Sequence, residues 1–186
     1  MGNNTKILLA DDHEIMREGL CALLRKHDSF DIVAEAADGR TAVRLAREKK
    51  PDIVIIDIGM PNLNGIEATR QVINENPYAK VMALSTHSEM SIVAKALKAG
   101  ASGYMLKESA FNELIDGINT IKTGKTYLCN KIAEIVFSDY VNMLNNPRFN
   151  GFDILSNREK EVLQLVSEGK TTKEIAWLRE EIKKRQ

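Results

Sequence analysis

The sequence has little of what marks secreted, fibrous or membrane-spanning chains. Its 186 residues include two cysteines, four prolines and one tryptophan, and aromatics make up 5%. Cys21 and Cys129 are far apart and match no zinc or disulfide spacing, so neither a metal finger nor a disulfide framework is expected. Cys21 falls in an apolar helical pattern and reads as a small core residue. An excess of one charge is also missing. The 26 Lys and Arg balance 26 Asp and Glu, for a net charge of zero. That balance excludes a basic nucleic-acid arm and an acidic solvating tail. Apolar runs such as Ile53–Ile56 stop after a few residues, far short of the roughly 20 that cross a bilayer. Met1–Lys6 leads directly into a short apolar stretch ended by two aspartates, unlike a signal peptide. The expectation is a cytoplasmic protein with no membrane partner. Apolar residues reach 44%, enough for a real core.

What is present is a rhythm. Five short apolar runs, Ile7–Ala10, Ile32–Ala34, Ile53–Ile56, Val81–Leu84 and Tyr104–Leu106, are continuous rather than alternating, as strands buried on both faces should be. Between them lie stripes at helical spacing: Ile15, Leu20, Leu23 and Leu24; Ala42, Leu45 and Ala46; Ile66, Thr69, Val72 and Ile73; Ile92, Ala96 and Leu97; Leu114, Ile118 and Ile121. Pro51, Pro77 and Gly100 sit where helices should stop. Strand and helix alternating five times predict an α/β fold built on a five-stranded open parallel sheet with right-handed crossovers. This first domain is placed at about residues 4–126.

The next region differs. Residues 131–144 predict a helix with Ile132, Ile135, Val136, Tyr140 and Val141 on one side. Asn145–Gly151 is rich in breakers and reads as a linker, so the connection is placed at 127–152. Ser156 stands three residues before Glu159, a capping box opening a helix with Val162, Leu163, Leu165 and Val166 inward. Gly169 suits its C-terminal stop. Thr171 or Thr172 can cap a second helix through Ile175 and Leu178. Residues 153–186 are therefore expected to form a small, incomplete all-α region.

In an open parallel sheet, chemistry gathers where strands end. Strand one is followed by Asp11-Asp12, strand three by Asp57, strand four by Ser85-Thr86 and strand five by Lys107. Three carboxylates on one rim repel one another unless a cation sits among them. A hard divalent ion fits, and Mg²⁺ typically takes one or two carboxylates together with phosphate oxygens. His13, which follows the acidic pair, could approach such an ion, but the solvated or capping reading is preferred; His87 reads as a residue lining the rim.

These residues resemble the receiver domain of two-component response regulators across the whole first domain. The resemblance is carried by Asp11-Asp12, the segment Asp57–Gly65, Ser85, Tyr104 and Lys107. It implies a flavodoxin-like fold with Asp57 as phosphoacceptor. It implies that Asp12, Asp57 and the Gly59 carbonyl hold Mg²⁺, with Asp11 reaching it mainly through water. Ser85, beside Thr86, and Lys107 are implied to contact the phosphoryl group, and Tyr104 to change rotamer on activation. The donor is then a sensor histidine kinase. The resemblance also implies a protein that is not an enzyme beyond Mg²⁺-assisted self-phosphorylation and autodephosphorylation. Many receivers carry Pro after the lysine; here it is Glu108, which leaves the geometry of the Lys107–Glu108 peptide open. Gly59 either opens the pocket to water, shortening the phosphorylated lifetime, or merely supplies its carbonyl.

Residues Ile154–Leu163 and Gly169–Ala176 resemble the opening of a LuxR-type helix-turn-helix. With the receiver, the chain resembles the NarL/FixJ subfamily. That family continues with a turn, a recognition helix and a final helix. Trp177–Gln186 instead extend the scaffold helix, so the output region is expected to be truncated. Its uncovered apolar residues invite a partner or a second copy of the chain, a homodimer. Which residues would contact DNA is unknown, and DNA binding is expected to be weak and without sequence preference. The other reading is a phosphorylation-dependent DNA-binding transcription factor of which this is a shortened chain. An aspartyl phosphatase would need a second carboxylate where Gly59 stands. A nucleotide- or flavin-binding fold would need a Gly-rich turn where Asp11-Asp12 stands.

Overall fold

Strand β1 (Thr5–Ala10) and strand β3 (Ile53–Asp57) owe their place at the sheet centre to composition. Ile7–Ala10 and all five residues of β3 are buried, and only an unbroken apolar run tolerates cover on both faces. The computed structural model describes residues 4–145. The other strands are β2 (Phe30–Ala36), β4 (Lys80–Ser85), β5 (Gly103–Leu106) and β6 (Tyr127–Leu128). All pair in parallel, in the order β2-β1-β3-β4-β5-β6. The edge strand β2 is only partly covered along its middle, as an edge position permits.

The helices are α1 (Glu14–Leu24), α2 (Gly39–Lys49), α3 (Gly65–Glu75), α4 (Met90–Lys98), α5 (Ala110–Lys122) and α6 (Asn130–Asn145). Alternate residues of the central strands feed two cores. Ile7, Leu9, Ile53, Ile55, Met82 and Leu84 pack with Leu20 and Leu24 of α1 and Leu114 and Ile118 of α5. Leu8, Ala10, Val54, Ile56 and Val81 pack with Ala42 and Ala46 of α2 and Ala68 and Val72 of α3. Helices α1 and α5 touch each other, as do α2 and α3, and α3 and α4. Short polar caps start two helices: Asp38 accepts from the Thr41 amide at 3.0 Å, and Asn64 from the Glu67 amide at 2.9 Å.

The α/β architecture with five parallel strands agrees with the sequence, and a two-residue sixth strand extends it. Cys129 and Ile132 are fully buried in the α1–α5 core, so the chain stays on the sheet beyond β6; the compact unit ends at Ser138, within α6. Every described peptide bond is trans, which settles the Lys107–Glu108 geometry. The expected linker at 145–151 reaches beyond the described residues. The capping box at Ser156 and Glu159 and the helix-turn-helix region at 153–186 lie wholly outside them.

Candidate functional site

Register decides which side chains reach the rim. Asp57, the last residue of β3, pairs with Leu84, and Ser85, the last of β4, pairs with Leu106. Asp11 therefore leaves β1, and Lys107 leaves β5, at the same end of the sheet. The loop after Asp57 then folds back on it. The Gly65 amide donates to the Ile58 carbonyl at 3.0 Å. A Cβ on Gly65 would stand 2.1 Å from the Asp57 carbonyl oxygen, so this position needs glycine for close approach. The left-handed backbone in this loop falls on Asn62, at φ 65°, a residue type that tolerates it.

Asp11 and Asp57 are buried, while the Asp12 side chain keeps 30% of its surface at the mouth. Lys107 closes the ring. Its Nζ donates to Asp57 Oδ2 at 2.8 Å and to Asp11 Oδ1 at 3.0 Å. Burial works against the ammonium, but the hydrogen bonds and negative charge of Asp57 and Asp11 outweigh it and hold the Lys107 pKa above its usual value. The other Asp57 oxygen, Oδ1, accepts from the Gly59 amide at 3.0 Å. Both oxygens of the carboxylate are thus oriented. A Cβ on Gly59 would meet only those two oxygens, each at 3.7 Å, so the approach above Asp57 is open.

Ser85 is buried, and its Oγ accepts from the His87 amide at 2.9 Å; Thr86 is exposed beside it. Tyr104 is fully buried, and its hydroxyl donates to the His87 carbonyl at 2.8 Å. The ring is already inside, because that carbonyl gives a buried phenol the partner it requires. Sequence reasoning missed Arg17, whose guanidinium donates to the Asp11 carbonyl at 2.7 Å and ties the acidic turn to α1. His13, for which the sequence favoured a solvated or capping role over an approach to the ion, faces the pocket closely. Neither residue belongs to a strand end, the signal that exposed the others.

Oxygens of Asp11, Asp12 and Asp57 and a ring nitrogen of His13 lie within 4.8 Å of one another. Asp11 Oδ2 is buried and accepts no hydrogen bond, although Lys107 Nζ is 2.9 Å away as an ionic neighbour. Three carboxylates against one ammonium leave negative charge in the pocket, and oxygen ligands in this number suit a hard divalent cation, so the donor set fits such an ion. An oriented carboxylate, an ammonium and a hydroxyl around that ion form a site suited to handling a phosphoryl group.

The comparisons with known proteins agree. The pattern described as "Response regulator receiver domain" matches residues 7–119, and "Bacterial regulatory proteins, luxR family" matches residues 153–177. The chain is 36% identical over 186 residues to the transcriptional regulatory protein DegU of Brevibacillus brevis, covering 93% of this chain and 79% of that protein. It is 38% identical over 170 residues to the transcriptional regulatory protein LiaR of Bacillus subtilis, covering 91% of this chain and 80% of the relative. The crystal structure of a LuxR-family two-component response regulator from Aurantimonas sp. SI85-9A1 superposes with a TM-score of 0.71 at 38% identity, over 75% of this chain and 99% of that one. The chain belongs to the response regulators of the NarL/FixJ type, which join a receiver domain to a LuxR-type helix-turn-helix.

Proposed function

We propose that this response regulator is switched by phosphorylation of Asp57, with a sensor histidine kinase as donor. The observation that carries the reading is the pairing of the buried Asp57 carboxylate with Lys107 at 2.8 Å, inside a ring completed by Asp11, Asp12 and Ser85. In the transfer, an Asp57 oxygen forms a bond to phosphorus as the bond from phosphorus to the donor breaks. The charge sits on the equatorial oxygens, so catalysis is positioning and neutralisation. Lys107 neutralises one side, and Ser85 Oγ offers a donor to a phosphoryl oxygen. Asp11, Asp12, Asp57 and the Gly59 carbonyl are the groups that would hold Mg²⁺, which supplies further neutralisation when bound.

The signal leaves through β4. Drawing the Ser85 hydroxyl toward phosphate, with Thr86 next to it, competes with the hydrogen bond it accepts from the His87 amide. His87 is also the residue whose carbonyl Tyr104 holds, so one loop answers to both. The receiver at about 4–126 is then joined through 127–152 to the output region at 153–186, and the switch regulates transcription. Pairing with a second copy of the chain is part of this reading, as is a cytoplasmic location; no described helix is long and apolar enough to cross a membrane. The 186-residue chain itself is proposed to bind DNA weakly and without sequence preference. Its zero net charge leaves a small electrostatic contribution, and Trp177–Gln186 do not resemble a recognition helix.

The test is phosphorylation with a small phosphodonor and Mg²⁺, followed by intact mass. The chain gains one phosphoryl group, labile in acid and base, and Asp57→Asn gains none. Equal labelling of Asp57→Asn overturns the assignment.

A further inference from the structure

His13 has no task in the chemistry above. It holds the N-cap position of α1, yet its side chain caps nothing. Its amide donates to Asp11 Oδ1 at 2.9 Å, and its Nδ1 lies 2.8 Å from Asp12 Oδ1 and 3.3 Å from both Asp11 Oδ1 and Lys107 Nζ. The ring is turned toward the pocket while 68% of the side chain stays in solvent. A purely solvated histidine has no reason to face three charged groups at once.

The geometry points to His13 Nδ1 as a ligand of the divalent ion in this pocket, so that the site holds imidazole-seeking ions such as Co²⁺ and Ni²⁺ more tightly than its carboxylates alone would. The inference rests on the reading of the acidic pocket as a divalent-cation site. Two observations carry it. Lys107 brings one ammonium to the three carboxylates of Asp11, Asp12 and Asp57, which leaves negative charge for a cation to offset. The 2.8 Å between Nδ1 and Asp12 Oδ1 is also close to the spacing of adjacent ligands on an octahedral ion, about 3.0 Å when each bond is about 2.1 Å. Coordination through Nδ1 uses the neutral ring, with the proton on Nε2.

The chemical consequence is selectivity. Carboxylates and carbonyls suit Mg²⁺, Ca²⁺ and Mn²⁺, whereas imidazole adds affinity for the later transition ions. Mg²⁺ dehydrates reluctantly and keeps several waters. An exposed ring can stand aside for those waters, so Mg²⁺ gains nothing from His13. Co²⁺ and Ni²⁺ exchange a water for the ring nitrogen.

Calorimetric titration of the full chain with MgCl₂ and with CoCl₂ tests this, alongside His13→Ala, His13→Gln and Asp12→Ala. Both His13 variants should lose about tenfold in Co²⁺ affinity, the size expected for a lost metal partner, with Mg²⁺ affinity unchanged. The visible absorption of the Co²⁺-loaded chain should carry a contribution from a nitrogen ligand that is absent in His13→Ala. Asp12→Ala should weaken both ions. If Asp12→Ala weakens both while His13→Ala changes neither, or both equally, the role of His13 is wrong and the acidic site stands. If Asp12→Ala leaves both unchanged, the pocket is no cation site and the inference falls with it.

Discussion

At the carboxyl end of the sheet Lys107 meets Asp11 and Asp57, with 12% of its side chain exposed against fully buried and nearly buried carboxylates. At the other end, Arg47 near the close of α2 forks onto Glu75 at the close of α3, and 69% of the arginine side chain faces water. Both are ion pairs between separate elements of the fold, but they do different work. The exposed pair exchanges water for a partner in a screened medium, where little is gained. The buried group cannot recover its hydration if a partner goes. A fold that buries two carboxylates beside a single ammonium holds charge where a hydrophobic filling would be safer. That expenditure makes sense at the rim only if something charged arrives there.

Lys107→Met breaks the comparison most severely. It leaves Asp11 and Asp57 without their cation, and losing one partner of a buried pair costs about 3 kcal/mol. Urea unfolding should show that loss, with part of it restored by millimolar Mg²⁺. The pH dependence has a definite sign. The Lys107 pKa is raised above its usual 10.5, so its contribution is complete below pH 10.5 and fades as pH rises through the higher folded value. The gap in stability between the wild type and Lys107→Met should therefore be constant up to pH 10 and narrow above it. A gap that widens with alkali contradicts the pairing.

Gly65→Ala comes next. Its Cβ would stand 2.1 Å from the Asp57 carbonyl oxygen, a backbone atom that no rotamer can move aside. Forcing α3 away costs about 2 to 3 kcal/mol, in the range for an overpacked site, and displaces Asp57 with it. The midpoint of urea unfolding should fall and phosphorylation should slow. Gly59→Ala is the control two residues from the acceptor, since its Cβ would make only ordinary contacts at 3.7 Å. It should keep full stability while narrowing the approach to Asp57.

The contrast between these glycines also shows what could be read without coordinates. Strand ends were legible, because continuous apolar runs stop sharply at Asp11, Asp57, Ser85 and Lys107, and one topology brings those stops together. Gly65 shows an ambiguity that sequence leaves: a glycine can serve positive φ or close approach, and here it is the close approach to Asp57. Strand β6 was not legible. Two residues, Tyr127 and Leu128, carry no period, and their pairing with β5 is set by tertiary packing. Arg17, and the direction in which His13 faces, were hidden for another reason. Their partners are a backbone carbonyl and a carboxylate whose directions follow from the turn at Asp11, and turn geometry leaves no trace in residue spacing.

Tyr104→Phe sharpens the comparison at lower amplitude. The ring stays buried and only the hydroxyl's bond to the His87 carbonyl is removed. A neutral hydrogen bond of this kind contributes about 1 kcal/mol, and unfolding should report that loss. Phosphorylation of Asp57 should proceed normally, since the hydrogen bond removed is to the His87 carbonyl in the β4–α4 loop. A slowed phosphorylation rate would instead place Tyr104 in the transfer itself.

Arg47→Ala should have the smallest effect of all. The pair looks strong on geometry, with two nitrogens on two oxygens and Arg47 Nε 2.9 Å from Glu75 Oε2. Hydrogen bonding to Glu75 raises the Arg47 pKa, and the same contact lowers that of Glu75. Solvent reaches both side chains, however, so each partner regains water when the other leaves. Arg47→Ala, Glu75→Ala and the double variant should unfold at the same urea concentration as the wild type within error, at low and at high salt. A double-mutant cycle with a measurable coupling, fading as salt rises, would show that the far end of the sheet relies on its charges as the rim does. The difference between the two ends would then be one of degree.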